Sequence, residues 1–271
     1  MTKIDITDHQ VETFQRDGVV ALRGVFSQDW IELLRKGVSE AMASPSKVAK
    51  NYAEPGKGKF FTDHFMYRRI EPFREFLFNS PAAPITARLM GATHVNLADE
   101  HLLVKEPGTE NPTYWHQDFP YFEMAGNQFS SLWIPLDPAT EENGTLKFVK
   151  GSQRWGKMYR PIRIGLGDIV EEADELDGPA PDIDAEPEKY DIETIELDPG
   201  DCVAFHAAIL HAATPNLSAT MRRRALAVRF AGDDITWQPR AYIPSVPDTP
   251  DLVEGGPIDS EIYPRIWTAA Q

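Results

Sequence analysis

Two residues in the segment 114–118, His116 and Asp118, can bind one metal ion together. If this segment is an extended strand, both side chains project to the same face, because side chains alternate along a strand. A distant histidine, His211, can supply a third ligand. Two histidines and one carboxylate leave coordination positions open on the metal, and this arrangement is typical of non-haem Fe(II) oxygenases.

His206 competes with His211 for the position of the third ligand. The two histidines are five residues apart, so on a regular strand they face opposite sides. We favour His211, because we expect it at the end of a strand, where a turn can direct its side chain toward the metal. His206 is then expected to be a packed strand residue.

A run of three arginines, 222–224, begins a predicted strand that ends near Phe230. Alternation places small and cationic side chains on one face of this strand and apolar side chains on the other. The apolar face is expected to pack against helices, which leaves the other face for a cavity with fixed positive charge. Such a cavity suits an acidic co-substrate. The cationic face holds Arg223, Ala225, Ala227 and Arg229, and the apolar face holds Leu226, Val228 and Phe230.

Arg223 is therefore the preferred anchor for an acidic co-substrate, with Arg222 as the second choice. On a neighbouring predicted strand, Trp133 is expected either to form a wall of the same pocket or to belong to the core. Several other residues are candidates for contact with a substrate, because they precede the strands, follow the metal motif or face the cavity. They suggest a small or medium-sized molecule with an anionic group, and they are Lys59, Phe61, Arg68, Tyr121, Phe122 and Arg229.

Composition excludes some classes of partner. The formal net charge is −15, from 42 acidic and 27 basic residues, whereas a nucleic-acid-binding surface needs positive charge. No apolar run approaches the roughly 20 residues that span a bilayer, and the polar N-terminus does not resemble a signal peptide. The single cysteine, Cys202, is consistent with a reducing cytoplasm. A monomer and a homodimer are both compatible with the sequence.

The pattern of the chain predicts one domain that positions these residues. Residues 1–93 are expected to form a mostly helical layer, with helices that begin after Thr7 and Ser27 and two more near 71–78 and 81–90. Residues 94–235 are expected to form a barrel of short strands, because apolar runs alternate there with proline and glycine. The barrel is interrupted by an acidic insert, 165–190, predicted to be a solvated excursion. Residues 236–271 are expected to be an irregular tail.

Several motifs in this order resemble the phytanoyl-CoA dioxygenase family of Fe(II)- and 2-oxoglutarate-dependent oxygenases. The resemblance runs from the first predicted helix to about Phe230. It implies a mainly β fold with some α structure, a double-stranded β-helix (jelly-roll) barrel that holds iron and 2-oxoglutarate at its mouth and uses O2. The motifs are Lys105-Glu106-Pro107-Gly108, Thr113 to Asp118, Asn143 to Leu146, Gly151 to Arg154, Pro199-Gly200-Asp201 and His211 to Arg223.

The resemblance also implies roles for particular residues. His116, Asp118 and His211 match the family's iron ligands. The family arginine that binds the distal carboxylate of 2-oxoglutarate matches Arg222 by its spacing from His211, but it matches Arg223 if the sequence that follows is aligned instead. Two further residues match positions near the co-substrate, Trp133 and Thr113. Because Asp118 is present, a halogenase, which lacks this carboxylate, is disfavoured.

The expected reaction is hydroxylation of the substrate with release of succinate and CO2. Desaturation or cyclisation is possible at the same site. Two alternatives of other classes remain: a metal-dependent hydrolase, which also uses histidine and aspartate ligands, and a barrel that binds a ligand without catalysis. A hydrolase needs no arginine in the metal cavity, and an inactive barrel has no reason to keep three ligands and a cation together.

Overall fold

The computed structural model describes residues 5–52, 56–164, 166–243 and 252–270. The remaining positions, 1–4, 53–55, 165, 244–251 and 271, lie outside the described residues. They belong to the predicted helical layer, the start of the acidic insert and the predicted tail.

The N-terminal part of the fold contains four helices and one short strand between the first two helices, and two further strands lie between the second and third helices. The first helix begins with a capping box, in which Thr7 Oγ1 accepts a hydrogen bond from the Gln10 backbone and the Gln10 side chain accepts one from the Thr7 backbone. It ends at Gly18, whose φ of 79° is readily adopted only by glycine. The four helices and the first strand are α1 (Asp8–Asp17), β1 (Val19–Leu22), α2 (Gln28–Ala43), α3 (Glu71–Asn79) and α4 (Ala82–Met90).

Replacing Thr7 with alanine is expected to lower the free energy of unfolding by about 1 kcal/mol, because the substitution leaves an N-terminal amide of α1 without its acceptor. Urea denaturation monitored by circular dichroism measures this change. Ser27→Ala is the matched control, since Ser27 precedes α2 but makes no side-chain capping hydrogen bond. An equal loss of stability in both variants would contradict a specific contribution from the capping box.

The rest of the described chain is dominated by strands. Those that precede the acidic insert are β2 (Lys50–Tyr52), β3 (Phe60–His64), β4 (His94–Lys105), β5 (Thr113–His116), β6 (Met124–Ala125), β7 (Phe129–Pro135) and β8 (Leu146–Val149). Those that follow it are β9 (Ile192–Ile195), β10 (Cys202–His206), β11 (His211–Ala213), β12 (Arg223–Ala231), β13 (Thr236–Trp237) and β14 (Arg265–Thr268).

The strands form two main antiparallel sheets that face each other in a jelly roll. The larger sheet has the order β1-β10-β7-β12-β4-β3-β2, with β14 also paired to β4, and the smaller has the order β5-β11-β8-β9. Trp133 and Phe205 of the larger sheet belong to the same buried cluster as Leu146 and Phe148 of the smaller one. In the described part of the chain the two sheets remain separate and do not form a continuous closed cylinder.

The alternation predicted for β12 is confirmed. Leu226, Val228 and Phe230 lie in the large core cluster that also contains apolar residues of all four helices. The opposite face directs Arg223 and Arg229 into a cavity between the sheets. The helical layer therefore covers the outer face of the larger sheet, and the inner face remains available for a site.

The structure differs from the predicted elements in two places near the cavity. The segment 44–59, which falls within the predicted helical layer, contains the edge strand β2. The predicted strand that carries His206 ends at that residue, and after a turn His211 begins a strand of the other sheet. The mainly apolar segment 202–213 thus contributes strands to both sheets, and its composition does not indicate where one strand ends and the next begins.

The described parts of the acidic insert and of the tail pack against the barrel. Ala173 and Ile183 are fully buried, and Ile183 joins a cluster on the outer face of the smaller sheet. Leu166 and Val170 line the central cavity. Sparse apolar residues are therefore enough to attach this polar segment to the barrel. The tail contributes β13 and β14.

None of the described helices is long and apolar enough to cross a membrane.

Candidate functional site

Three side chains converge between the sheets. His116 ends β5 and His211 begins β11, and the antiparallel register places them directly opposite each other. Asp118 lies just beyond β5 with φ −73° and ψ −36°, so it is not on the strand as the sequence suggested, yet its carboxylate still reaches the histidines. One potential ligand atom from each residue lies within 4.8 Å of the others, and all three residues are buried. Nε2 of each histidine is 3.9 Å from Asp118 Oδ1.

The histidines are held in a suitable orientation for metal binding. Nδ1 of His116 lies 2.7 Å from the Tyr114 carbonyl oxygen, and Nδ1 of His211 lies 3.1 Å from that of Ile209. These contacts place the proton of the neutral ring on Nδ1 and leave Nε2 with a free lone pair. Both Nε2 atoms are on the side of Asp118.

The electrostatic environment favours the protonation states that a metal requires. Burial lowers the pKa of His116 to about 3, with a further contribution from nearby His211, and burial also lowers the pKa of His211. Burial alone would raise the pKa of Asp118, but the charge and hydrogen bonding of Arg229, with a further contribution from His211, outweigh it and hold this pKa below its ordinary value. Two neutral imidazoles and one carboxylate result, which is the state that binds a divalent cation.

Arg229 is hydrogen-bonded to the carboxylate of Asp118 and does not extend freely toward a substrate. Its Nη2 donates to Asp118 Oδ1 at 2.9 Å, and its Nη1 lies 3.4 Å from Asp99 Oδ2. Ser131 Oγ also donates to the carboxylate of Asp118, at 2.5 Å. The guanidinium and the hydroxyl therefore fix the carboxylate, a role that the sequence analysis did not assign to either residue.

A second polar group lies on the same cavity wall. The rings of His64 and His101 stack with centroids 3.9 Å apart, and Nδ1 of His64 is 3.1 Å from Asp99 Oδ1. Burial, reinforced by the charge of neighbouring His64, holds the pKa of His101 well below its usual range. Sequence reasoning missed this group, although alternation along β4 puts Asp99 and His101 on one face.

The cavity has a volume of about 800 Å³, large enough for a small or medium-sized ligand. Most of the residues predicted from the sequence lie on its wall. They are Thr113, His116, Asp118, Tyr121, Phe122, Trp133, His211, Arg223 and Arg229.

Four predicted residues do not line the cavity. Phe61 alternates with Thr62 along β3, so it faces the helical core, and with Lys59 it lines a separate pocket of about 310 Å³. Arg68 lies over the rings of Phe65 and Tyr67. Arg222 is 47% exposed and pairs with Glu106 at 2.8 Å. The mouth of the cavity is lined instead by described residues of the segments 47–52 and 162–170, among which Val48 and Leu166 are exposed.

Arg223 differs from its neighbours in the arginine run because it is only 2% exposed. Nη1 donates to the Leu103 carbonyl at 3.1 Å, the guanidinium lies 5.6 Å from the Trp133 ring centroid, and Nε is buried without a described partner. Burial lowers the pKa of Arg223 to about 10, so it remains a cation near neutral pH. A buried guanidinium with an unused donor, beside the triad, fits the carboxylate of an acidic ligand.

A jelly roll that combines a two-histidine, one-carboxylate triad with a buried arginine in the same cavity defines the class of Fe(II)- and 2-oxoglutarate-dependent oxygenases. Iron and 2-oxoglutarate are the cofactor and co-substrate of this class. The model of the phytanoyl-CoA dioxygenase (PhyH) family matches residues 14–225. The chain belongs to the phytanoyl-CoA dioxygenase family and is an enzyme of this class.

Individual relatives are distant. A phytanoyl-CoA dioxygenase of Arabidopsis thaliana is 22% identical over 254 residues, which cover 80% of this chain and 86% of that protein. An ectoine dioxygenase of Bordetella bronchiseptica is 27% identical over 151 residues, 54% of this chain and 49% of that protein. The epimerase SnoN, solved with Fe3+, alpha-ketoglutarate and nogalamycin RO, superposes with a TM-score of 0.75 at 19% identity and covers 96% of this chain and 98% of its own. The structural likeness establishes a shared fold.

Proposed function

We propose that this oxygenase hydroxylates a small or medium-sized molecule, with His116, Asp118 and His211 as the ligands of Fe(II). The observation that supports this proposal is the convergence of the triad beside buried Arg223 in one cavity. When bound, iron and 2-oxoglutarate supply the oxidising chemistry, in which O2 is consumed and succinate and CO2 are released. Arg223 would bind the distal carboxylate of 2-oxoglutarate.

The other residues of the cavity have supporting roles in this proposal. Arg229 and Ser131 hold the Asp118 carboxylate in the direction of the metal. Trp133 and Thr113, which line the cavity, would flank 2-oxoglutarate. Tyr121 and Phe122 form an apolar wall that excludes water from the reacting centre. Tyr121 is fixed in this place, because its hydroxyl donates to the Ile162 carbonyl at 2.7 Å.

We also propose that the substrate carries an anionic group. Lys47, Lys50 and Arg163 lie around the mouth of the cavity, although the chain as a whole has a net charge of −15. Among the described residues, Lys47 and Lys50 form no ion pair, whereas Arg163 is 3.8 Å from Glu172. A local cluster of cations on an acidic protein attracts an anion to that place. This proposal replaces the one based on Lys59 and Arg68. A cytoplasmic location stays a prediction from the single cysteine.

Succinate release tests the proposed reaction. Protein reconstituted with Fe(II) is expected to form succinate from 2-oxoglutarate in air, and removal of O2 or addition of a chelator is expected to abolish it. A panel of carboxylated and phosphorylated metabolites, each with its neutral ester or amide, is screened for stimulation. For any pair in which at least one member stimulates succinate release (a productive pair), we expect kcat/KM for the anionic member to be about tenfold higher than for the neutral one.

Two outcomes would contradict these proposals. Chelator-sensitive hydrolysis of the esters without 2-oxoglutarate would favour the hydrolase. Equal stimulation by neutral and anionic members of every productive pair would contradict the anionic substrate while leaving the oxygenase reaction in place.

A further inference from the structure

A second cation is buried beside the proposed co-substrate arginine. Lys105 lies on β4 directly opposite Arg223 in the antiparallel register, and it is 0% exposed. Its Nζ donates to the Thr214 carbonyl at 2.7 Å and lies 5.2 Å from the Phe60 ring centroid. A lysine is almost never fully buried unless an anion pairs with it.

No such anion is present among the described residues. Neither Lys105 nor Arg223 forms an ion pair there, and their direct polar partners are backbone carbonyl oxygens. Burial lowers the pKa of Lys105 well below its usual range, and the charge of Arg223 lowers it further. Asp137 acts on Arg223 only through space, because it pairs with Arg224. Two adjacent buried cations with no carboxylate in direct contact destabilise the folded chain. An anionic ligand beside Arg223 would remove this cost and stabilise the charged form of Lys105.

The surrounding backbone keeps the two cations together. Gly144 has a φ of 107°, and a Cβ there would be 3.2 Å from Arg223 Nη2 and 3.2 Å from the Thr214 carbonyl oxygen. The same carbonyl accepts the hydrogen bond from Lys105. The absence of a side chain at 144 thus lets the loop close against the guanidinium. The Leu103 carbonyl and this loop occupy part of the space around the Arg223 guanidinium. The buried Nε of Arg223 has no described partner.

We propose that Lys105 is a positioning residue whose charge, acting beside Arg223, makes the site select a keto acid with a second carboxylate. This inference depends on the proposed function, in which Arg223 binds the distal carboxylate of 2-oxoglutarate. Two neighbouring positive charges in a site of low dielectric attract one carboxylate more strongly than a single charge does. A keto acid without that carboxylate gains nothing from Lys105.

Binding of two keto acids to Fe(II)-loaded protein under argon tests this proposal by isothermal titration calorimetry. The probes are 2-oxoglutarate and 2-oxopentanoate, which has a methyl group in place of the distal carboxylate. We expect the unmodified protein to prefer 2-oxoglutarate strongly. Lys105→Met is expected to weaken 2-oxoglutarate binding by about 10- to 100-fold and to change 2-oxopentanoate binding less than about twofold. The ratio of the two affinities is the readout, because a general distortion of the site weakens both.

Two further variants make the result specific. Lys105→Gln keeps a donor for the Thr214 carbonyl but carries no charge, so it is expected to lose selectivity as Lys105→Met does, and it replaces that variant if methionine prevents folding. Lys147→Met is the matched control, since Lys147 lies on a strand over the outward-facing Trp115 ring. This control is expected to keep the full selectivity.

The possible failures are distinguishable. If the unmodified protein binds neither keto acid, the proposed function itself is contradicted. If the unmodified protein selects 2-oxoglutarate and both Lys105 variants keep that selectivity, or lose affinity for both acids equally, the role of Lys105 is contradicted and that of Arg223 is not.

Discussion

His211→Ala is expected to lower kcat/KM for 2-oxoglutarate turnover by about 10³-fold or more, equivalent to about 4 kcal/mol of transition-state stabilisation. The substitution removes one of three proposed ligands, and the remaining two residues cannot hold Fe(II) in the same geometry. Succinate release measures the loss of turnover, and calorimetric titration with Fe(II) under argon measures the loss of metal affinity. Circular dichroism checks that the fold is retained.

His206→Ala is the matched control for this experiment. His206 ends β10, its Nε2 lies 2.8 Å from the Asn127 carbonyl oxygen, and its Nδ1 accepts from the Ala208 amide at 3.0 Å. Both contacts are with the backbone of turns, and the residue does not line the cavity. We expect His206→Ala to lower the free energy of unfolding, because two hydrogen bonds are lost, and to leave the affinity for Fe(II) nearly unchanged. Loss of Fe(II) binding in His206→Ala but not in His211→Ala would overturn the ligand assignment.

Arg223→Met is expected to raise the KM for 2-oxoglutarate by about 100-fold, which corresponds to about 2.7 kcal/mol, a typical effect of removing one partner of a buried charge pair. Methionine retains much of the volume next to Trp133, so the lost interaction is mainly electrostatic. Initial rates of succinate formation over a range of 2-oxoglutarate concentrations give the KM. Binding of Fe(II) alone is expected to be retained.

Arg222→Met carries the same change in side chain at the adjacent position. Arg222 is on the outer face and pairs with Glu106, and exposed ion pairs contribute little. The KM of this variant is therefore expected to stay within about twofold of the unmodified value. The opposite ranking of the two variants would select Arg222 as the co-substrate anchor.

Periodicity predicted the parts of the fold that depend on local interactions. The helix α1 could be predicted to the residue, because Thr7 and Gly18 are capping residues with a direct effect on the backbone. The two faces of β12 followed from alternation, and this was enough to separate buried Arg223 from exposed Arg222. A resemblance to the family then supplied the jelly roll, which local patterns alone leave undetermined.

Apart from the convergence of His211 with His116 and Asp118, features that depend on contacts between distant segments were not predicted. Nothing in the sequence near Asp99 indicates that β3 will place His64 over His101, because the pairing of β3 with β4 is set by the whole sheet. The outward direction of Lys59 and Arg68 likewise depends on that register and on the turn after β3. The burial of Ile183 depends on an outer surface of the smaller sheet that exists only after folding.

The contact of Arg229 with both Asp118 and Asp99 has a consequence for how such an enzyme can acquire new substrates. Asp99 faces the cavity, yet changing it would disturb the guanidinium that steadies the metal-side carboxylate. Substitutions of Asp99 that would change substrate specificity are therefore also expected to lower activity. Described residues of the segments 47–52 and 162–170 line the same cavity and form no hydrogen bond or ion pair with the triad, so mutations there can alter specificity while the triad is kept.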